Sequence, residues 1–289
     1  MKAYINGDIV EDKEAKISIF DRGFLYGDGL FETMRSYEGR VFRMDAHLER
    51  LYSSMKTLKI RQRISAKELE RAVYDLLSVN NLMDASVRLN VTRGISRNRA
   101  FSISKNEPSN VIITSRPFVP RPASFYEKGI KINISRYIRS GRTFVSNVKV
   151  PNYLQSIIAR NEAMPKGFFE TIYLNEDGDI TDGSVSNIFM VKGDMLATPS
   201  IDCGVLPGIT RGTVLKLASF AGLPVSEGRF DPSYLKNADE VFITNSLIEI
   251  IPVTKVDDKE IAGGGIGCST KRLHSLYKEQ VRKEAGGWI

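Results

Sequence analysis

The sequence predicts an α+β protein of two domains, a small N-terminal α/β domain and a larger, β-rich C-terminal one. Three observations carry this. The chain has 289 residues, a length at which one hydrophobic core tends to divide into two. Helix-like and strand-like hydrophobic periodicities both occur along it. One stretch, with Pro117, Pro120 and Pro122 close together, reads as a linker. The expected division is a domain over 1–117, a linker over 118–124 and a domain over 125–289.

Val41 and Phe42 lead from a strand into a helix with Leu48, Leu51, Met55 and Leu58 at helical spacing, and Asp45 is its expected N-cap. Ser65 opens a second helix. Glu68 stands three residues on and completes a capping box, and Leu69, Val73, Leu76 and Leu77 share one face. Val87, Leu89 and Val91 then alternate with Arg88, Asn90 and Thr92, the pattern of a half-buried strand. A second strand covers 110–118. Past the prolines come a strand over 131–138, a helix over 151–167 and strands over 170–175 and 186–199. A further helix closes on Gly222 as its C′ residue, and 238–258 is strand-rich.

Hydrophobic residues make up 42% and charged residues 26%, which excludes a disordered chain. No apolar run approaches the roughly 20 residues that cross a bilayer, so no membrane partner is expected. The first sixteen residues lack the apolar segment of a signal peptide. Two cysteines, Cys203 and Cys268, make no disulfide framework, and a cytoplasmic setting follows as the expectation. With only His47 and His274 beside them, a metal site is not expected. The formal charge is 41 − 34 = +7. That excess permits nucleic-acid binding or anionic small molecules. Basic residues interspersed with acids, as in EDKEAK, argue against nucleic acid.

Four places carry chemistry. Lys149 is flanked by Val148, Val150 and Pro151. An amine in apolar surroundings loses hydration and deprotonates readily, becoming a nucleophile or base, although a surface lysine at a strand end has the same flanks. Asp182, entering TDGSVSNIF, offers a carboxylate to a protonated ring nitrogen, or simply closes a hairpin. Pro207 and Gly208 turn into a helix opened by Ile209 and Thr210. Backbone N–H groups and a hydroxyl at a helix start suit a phosphate. Asn245 and Ser246, after a strand, add donors.

Lys149-x-x-Asn152-Tyr153-Leu154, TDGSVSNIF, LPGITR, FITNSLIEIIPV and the N-terminal FDRGFLYGDGLFETMRSYEGRVFRMDAHLERL stand in this chain. Together they resemble the class IV aminotransferases, pyridoxal 5′-phosphate enzymes of fold type IV. That family includes D-amino acid aminotransferases, branched-chain aminotransferases and aminodeoxychorismate lyases. The likeness runs from about residue 3 to 280. It implies a D-amino acid aminotransferase-like fold and a homodimer.

By the same resemblance, Lys149 forms the internal aldimine and moves the proton between Cα and C4′. Tyr153 hydrogen-bonds the cofactor's phenolic oxygen, and Arg50 grips its phosphate. Ile209, Thr210 and Ser246 add phosphate contacts, with Asn245 beside Ser246. Leu206 packs on the ring, and Val185 and Ser186 lie next to it. His47 supports the helix of Arg50. Asp182 keeps the pyridine nitrogen protonated, where relatives usually carry Glu, one methylene longer.

Substrate carboxylates call for arginine forks. Arg35, Arg88, Arg97 and Arg99 are the candidates, with Arg88 on the strand face opposite Val87 and Leu89. The Arg-x-His pair that D-amino acid relatives usually carry after TRG is absent, as is the longer loop usual in branched-chain enzymes, and Thr33 stands where those usually have a glycine. The basic cluster favours transfer from D-amino acids such as D-alanine or D-glutamate to a 2-oxo acid such as 2-oxoglutarate, by a ping-pong route. Branched-chain L-amino acid transamination is the second reading and aminodeoxychorismate cleavage the third.

Overall fold

In the computed structural model, residues 1–95, 102–103 and 108–286 are described. They divide into two compact units, Met1–Val119 with Val148–Asn152 and Val281–Ile289, and Pro120–Asn147 with Tyr153–Gln280. Two short segments depart from the expected continuous domains. Residues 148–152, with Lys149, belong to the first unit, and so does the chain from Val281.

Among the described residues, the first unit is built on one sheet packed against helices. Its strands are β1 (Lys2–Ile5), β2 (Asp8–Glu11), β3 (Gly29–Tyr37), β4 (Arg40–Val41), β5 (Ala85–Thr92) and β6 (Asn110–Pro117), in the order β2-β1-β6-β5-β3-β4. Its helices are α1 (Arg22–Tyr26), α2 (Met44–Thr57) and α3 (Ala66–Val79). Strand alternation sends Leu30, Met34, Val87, Leu89, Val91 and Ile113 to one face, where they pack with Leu48, Leu51, Met55, Leu69, Val73 and Leu76 of α2 and α3. The Ser65–Glu68 capping box forms as the sequence implies. Asp45 does not cap α2. Arg43, in left-handed backbone at φ 55°, is the N-cap, and Asp45 lies in the first turn, where its charge still suits the helix dipole.

The second unit is built on α4 (Ala123–Glu127), β7 (Ile130–Ile138), α5 (Leu154–Ala163), β8 (Glu170–Leu174), β9 (Ile180–Gly183), β10 (Asn187–Lys192), β11 (Met195–Pro199), α6 (Ile209–Phe220), β12 (Val225–Gly228), α7 (Pro232–Lys236), β13 (Glu240–Asn245), β14 (Glu249–Val256), β15 (Lys259–Glu260) and α8 (Cys268–Ala285), whose residues from Val281 on fall to the first unit. Eight strands run in the order β12-β11-β10-β13-β14-β7-β8-β9, and β15 pairs with β14. Fully buried Ile132, Ile172, Ile180, Met190, Ile243 and Ile251 form its core. α6 ends at Ala221, and Gly222 follows at φ 72°, the left-handed C′ position expected of it. No helix among the described residues is long and apolar enough to cross a membrane.

Candidate active site

Each unit presents its own set of chemical groups. In the first, Val148 and Val150 pack against the core and so fix the backbone on either side of Lys149. The Lys149 carbonyl accepts the Phe31 N–H at 3.0 Å. Its Nζ stands 4.5 Å from the centroid of the Phe31 ring. The Arg88 guanidinium lies 3.3 Å from the same centroid and donates to Thr33 Oγ1 at 3.3 Å and Asn90 Oδ1 at 3.1 Å. Thr33 and Arg88 are register partners across β3 and β5, which places Phe31, Thr33 and Arg88 on one face of the sheet. Val87 and Leu89 are buried on the other face, as the alternation implies. One aromatic ring thus faces both an amine and a guanidinium.

On the core face of β3, Glu32 sits in register with Leu30 and Met34 and is 1% exposed. Arg50 Nε donates to its Oε1 at 2.8 Å and Arg50 Nη2 to its Oε2 at 2.6 Å, a two-point fork. His47 Nδ1 lies 2.7 Å from Oε2. Burial pushes the Glu32 carboxyl up, but the His47 hydrogen bond and the Arg50 charge outweigh it and hold it at about 2. Burial pushes His47 down, and the charges of Arg50 and Lys149 add to this against the pull of Glu32. His47 is therefore a neutral ring donating Nδ1–H to an ionised Glu32. The support expected of His47 runs through Glu32, which motif reading missed. Its signal was a carboxylate at a core-face position of an apolar strand.

In the second unit, Asp182 lies within β9 and is 4% exposed. Arg139 Nη1 donates to Asp182 Oδ1, and the Leu206 N–H donates to Oδ2 at 3.2 Å. Arg139 is held in turn by Ser156 Oγ at 3.2 Å and by the Tyr173 ring, 4.7 Å from its Cζ. Burial lowers its pKa, but the charges of Asp182, Tyr173 and Tyr153 prevail and raise it. Arg139 has no motif signal of its own, since the loop after β7 carries no periodicity.

The turn from Leu206 to Gly208 is locked where Asn187 Nδ2 donates to the Leu206 carbonyl at 2.9 Å. Gly208 is the N-cap of α6, which has no side-chain cap. A Cβ built on Gly208 would collide with Asn187 Oδ1, so the closeness of this turn requires glycine. Ile209 and the buried Thr210 begin a helix whose first N–H groups point outward at its positive end. The first unit offers an amine and an arginine fork, and the second a carboxylate acceptor and an uncapped helix start; each set by itself holds group types that suit a phosphorylated pyridine aldehyde.

Other expected contacts have local partners. Ser186 Oγ donates to Glu170 Oε2 at 2.9 Å, and Ser184 Oγ and the Val185 N–H also reach the Glu170 carboxylate. Glu170, fully buried, therefore shapes the turn that presents Val185, and sequence reasoning missed it. Asn245 Nδ2 donates to the Val185 carbonyl at 3.1 Å, while its Oδ1 accepts from the Leu247 and Ile248 N–H groups and closes the turn holding Ser246. Tyr153 is the N-cap residue of α5. Arg35 is clasped between the rings of Tyr37 and Phe118, 4.0 and 3.7 Å from their centroids. Arg97 and Arg99 lie outside the described residues.

The family model of class IV amino-transferases matches residues 29–256, and the chain belongs to that family. It is a pyridoxal-phosphate-dependent class IV aminotransferase by this match, its relatives and its structural neighbours. The chain is 37% identical to an aminodeoxychorismate lyase of Bacillus subtilis over 98% of itself and 97% of that protein. It is 34% identical to a D-alanine aminotransferase of Listeria monocytogenes over 99% and 98%. A branched-chain amino acid aminotransferase of T.th., complexed with N-(5′-phosphopyridoxyl)-L-glutamate, superposes with a TM-score of 0.90 at 30% identity, covering 99% of this chain and 97% of that one.

Proposed function

We propose that this enzyme moves amino groups between branched-chain L-amino acids and 2-oxoglutarate. The supporting observation is Arg88, whose guanidinium shares the Phe31 ring with the Lys149 amine on one sheet face. A monocarboxylic amino acid needs one cationic partner. Glutamate and 2-oxoglutarate carry a second carboxylate, which a guanidinium fork suits. The phosphopyridoxyl-L-glutamate complex of the branched-chain relative supports the same pairing. The D-amino acid expectation drew on the cluster of Arg35, Arg88, Arg97 and Arg99, of which Arg97 and Arg99 lie outside the described residues, and the Listeria relative keeps it as the competing reading.

Pyridoxal phosphate, when bound, supplies an aldehyde carbon for the amino group and a ring that takes up electrons from Cα. Lys149 would hold that aldehyde carbon and move the proton at Cα. Asp182 would accept the ring N–H, and Tyr153 would hydrogen-bond the phenolic oxygen. Arg50, oriented by Glu32, and the start of α6 at Ile209 and Thr210, with Ser246, bind the phosphate. The family's homodimer also belongs to this reading. Ile19, Phe20 and Phe24, each more than 60% exposed in one short stretch, supply apolar surface for a second copy. Light scattering reads that state directly.

A half-reaction panel tests the substrate assignment. The loaded enzyme is mixed with L-leucine, L-valine, L-glutamate, D-alanine or D-glutamate, and the cofactor absorbance is followed. Conversion by the three L-amino acids is expected. Conversion by the D-amino acids alone overturns the assignment. Continuous pyruvate from aminodeoxychorismate with no 2-oxo acid present makes the enzyme a lyase.

A further inference from the structure

We infer that Arg139 is the positioning residue that keeps Asp182 ionised and aims it, so that a carboxylate one methylene shorter than glutamate still meets the cofactor's ring nitrogen. The inference rests on the assignment of Asp182 to that nitrogen. Asp182 is 4% exposed, and a carboxylate so buried takes up a proton unless charge or hydrogen bonds stabilise it. Protonated, it would lose the negative charge that stabilises a pyridinium. Arg139 supplies the opposing charge through a direct hydrogen bond to Oδ1.

The geometry of Arg139 is itself over-determined. One arm of its guanidinium reaches Asp182 and another reaches Ser156 Oγ at 3.2 Å. Its plane is backed by the Tyr173 ring, 4.7 Å away. Tyr173 is fully buried, so this wall does not move. On the other oxygen, Oδ2, the Leu206 N–H donates at 3.2 Å. The carboxylate is thus pinned at both oxygens, by a side chain from the loop after β7 and by backbone next to the α6 turn. Each carboxylate oxygen has two lone-pair positions, so one that already accepts a protein donor can also accept a ring N–H. A lysine at this position would carry the charge but not the two-armed fork that ties Asp182 to Ser156.

The test compares two ligands on the apoenzyme, pyridoxamine 5′-phosphate and its N1-deaza analogue, in which carbon replaces the ring nitrogen. Their affinities are measured by calorimetry in the wild type, Arg139→Met and Arg139→Gln. The wild type is expected to prefer the pyridine by about tenfold or more, the worth of a charge-assisted hydrogen bond. Both variants are expected to lose most of that preference while binding the deaza analogue nearly as before. A general structural defect would weaken both ligands alike and leave the ratio standing. A ratio unchanged in the variants overturns the role of Arg139 and leaves Asp182 in place. No preference in the wild type overturns the assignment of Asp182 itself, and with it this inference. Either variant alone suffices if the other does not fold.

Discussion

Glu32 holds Arg50 at two points, Nε at 2.8 Å and Nη2 at 2.6 Å, on the buried face of a strand whose opposite face carries Phe31 beneath the Lys149 amine. The arginine proposed to bind the phosphate is therefore aimed by a carboxylate from the same strand that carries Phe31. Glu32→Gln removes the charge and gives Arg50, 11% exposed, one neutral amide oxygen where it had a two-oxygen carboxylate. Breaking a buried pair this way costs about 3–5 kcal/mol. The unfolding midpoint of the apoenzyme is expected to fall by on the order of 10 °C. A midpoint unchanged by the substitution contradicts the pairing.

The same cluster sets the acid limit of the fold. The folded Glu32 carboxyl lies near 2, below its ordinary 4.5, so its contribution is present above pH 4.5 and is lost as pH falls toward 2. That contribution is about 3 kcal/mol. His47 is also depressed from its ordinary 6.5, so the unfolded chain binds a proton there more readily, and stability begins to decline below pH 6.5. Denaturant unfolding of the apoenzyme across this range should show both declines. Glu32→Gln should remove the lower one, and an identical acid profile in that variant would contradict the account.

Gly208→Ala tests the helix start. The new Cβ would collide with Asn187 Oδ1, so the turn must shift. Pyridoxamine 5′-phosphate should bind about tenfold or more weakly, while phosphate-free pyridoxamine changes little. Equal losses for both ligands would remove the phosphate from this turn.

Arg88→Met keeps much of the apolar stem over Phe31 and deletes the fork. The KM for 2-oxoglutarate should rise by about tenfold or more, with the leucine half-reaction little affected. A loss shared by both substrates would make Arg88 a support for the α-carboxylate or for Lys149 instead.

Local signals in the sequence were readable where one short segment carries the whole cause. The Ser65–Glu68 box, the Gly222 cap and the alternation that turns Arg88 away from Val87 and Leu89 are of this kind. The cap of α2 escaped because Arg43 holds a left-handed backbone that composition does not announce. The motifs marked Lys149 and Asp182, but not the groups that govern them. Glu32 acts on Arg50 across 18 positions, Arg139 on Asp182 across 43 and Glu170 on Ser186 across 16. Such pairings exist only once strands and helices have packed. Lys149 likewise sits in a five-residue segment that joins the first unit, although its neighbours on both sides in sequence belong to the second.

The central claim is that Lys149 is the amine that holds the cofactor. Borohydride reduction of the loaded enzyme, followed by proteolysis and mass spectrometry, tests it most directly. The pyridoxyl group should be found on the peptide containing Lys149, and Lys149→Ala should yield no such adduct. A pyridoxyl group on another lysine, or an unchanged adduct in the variant, would contradict the account.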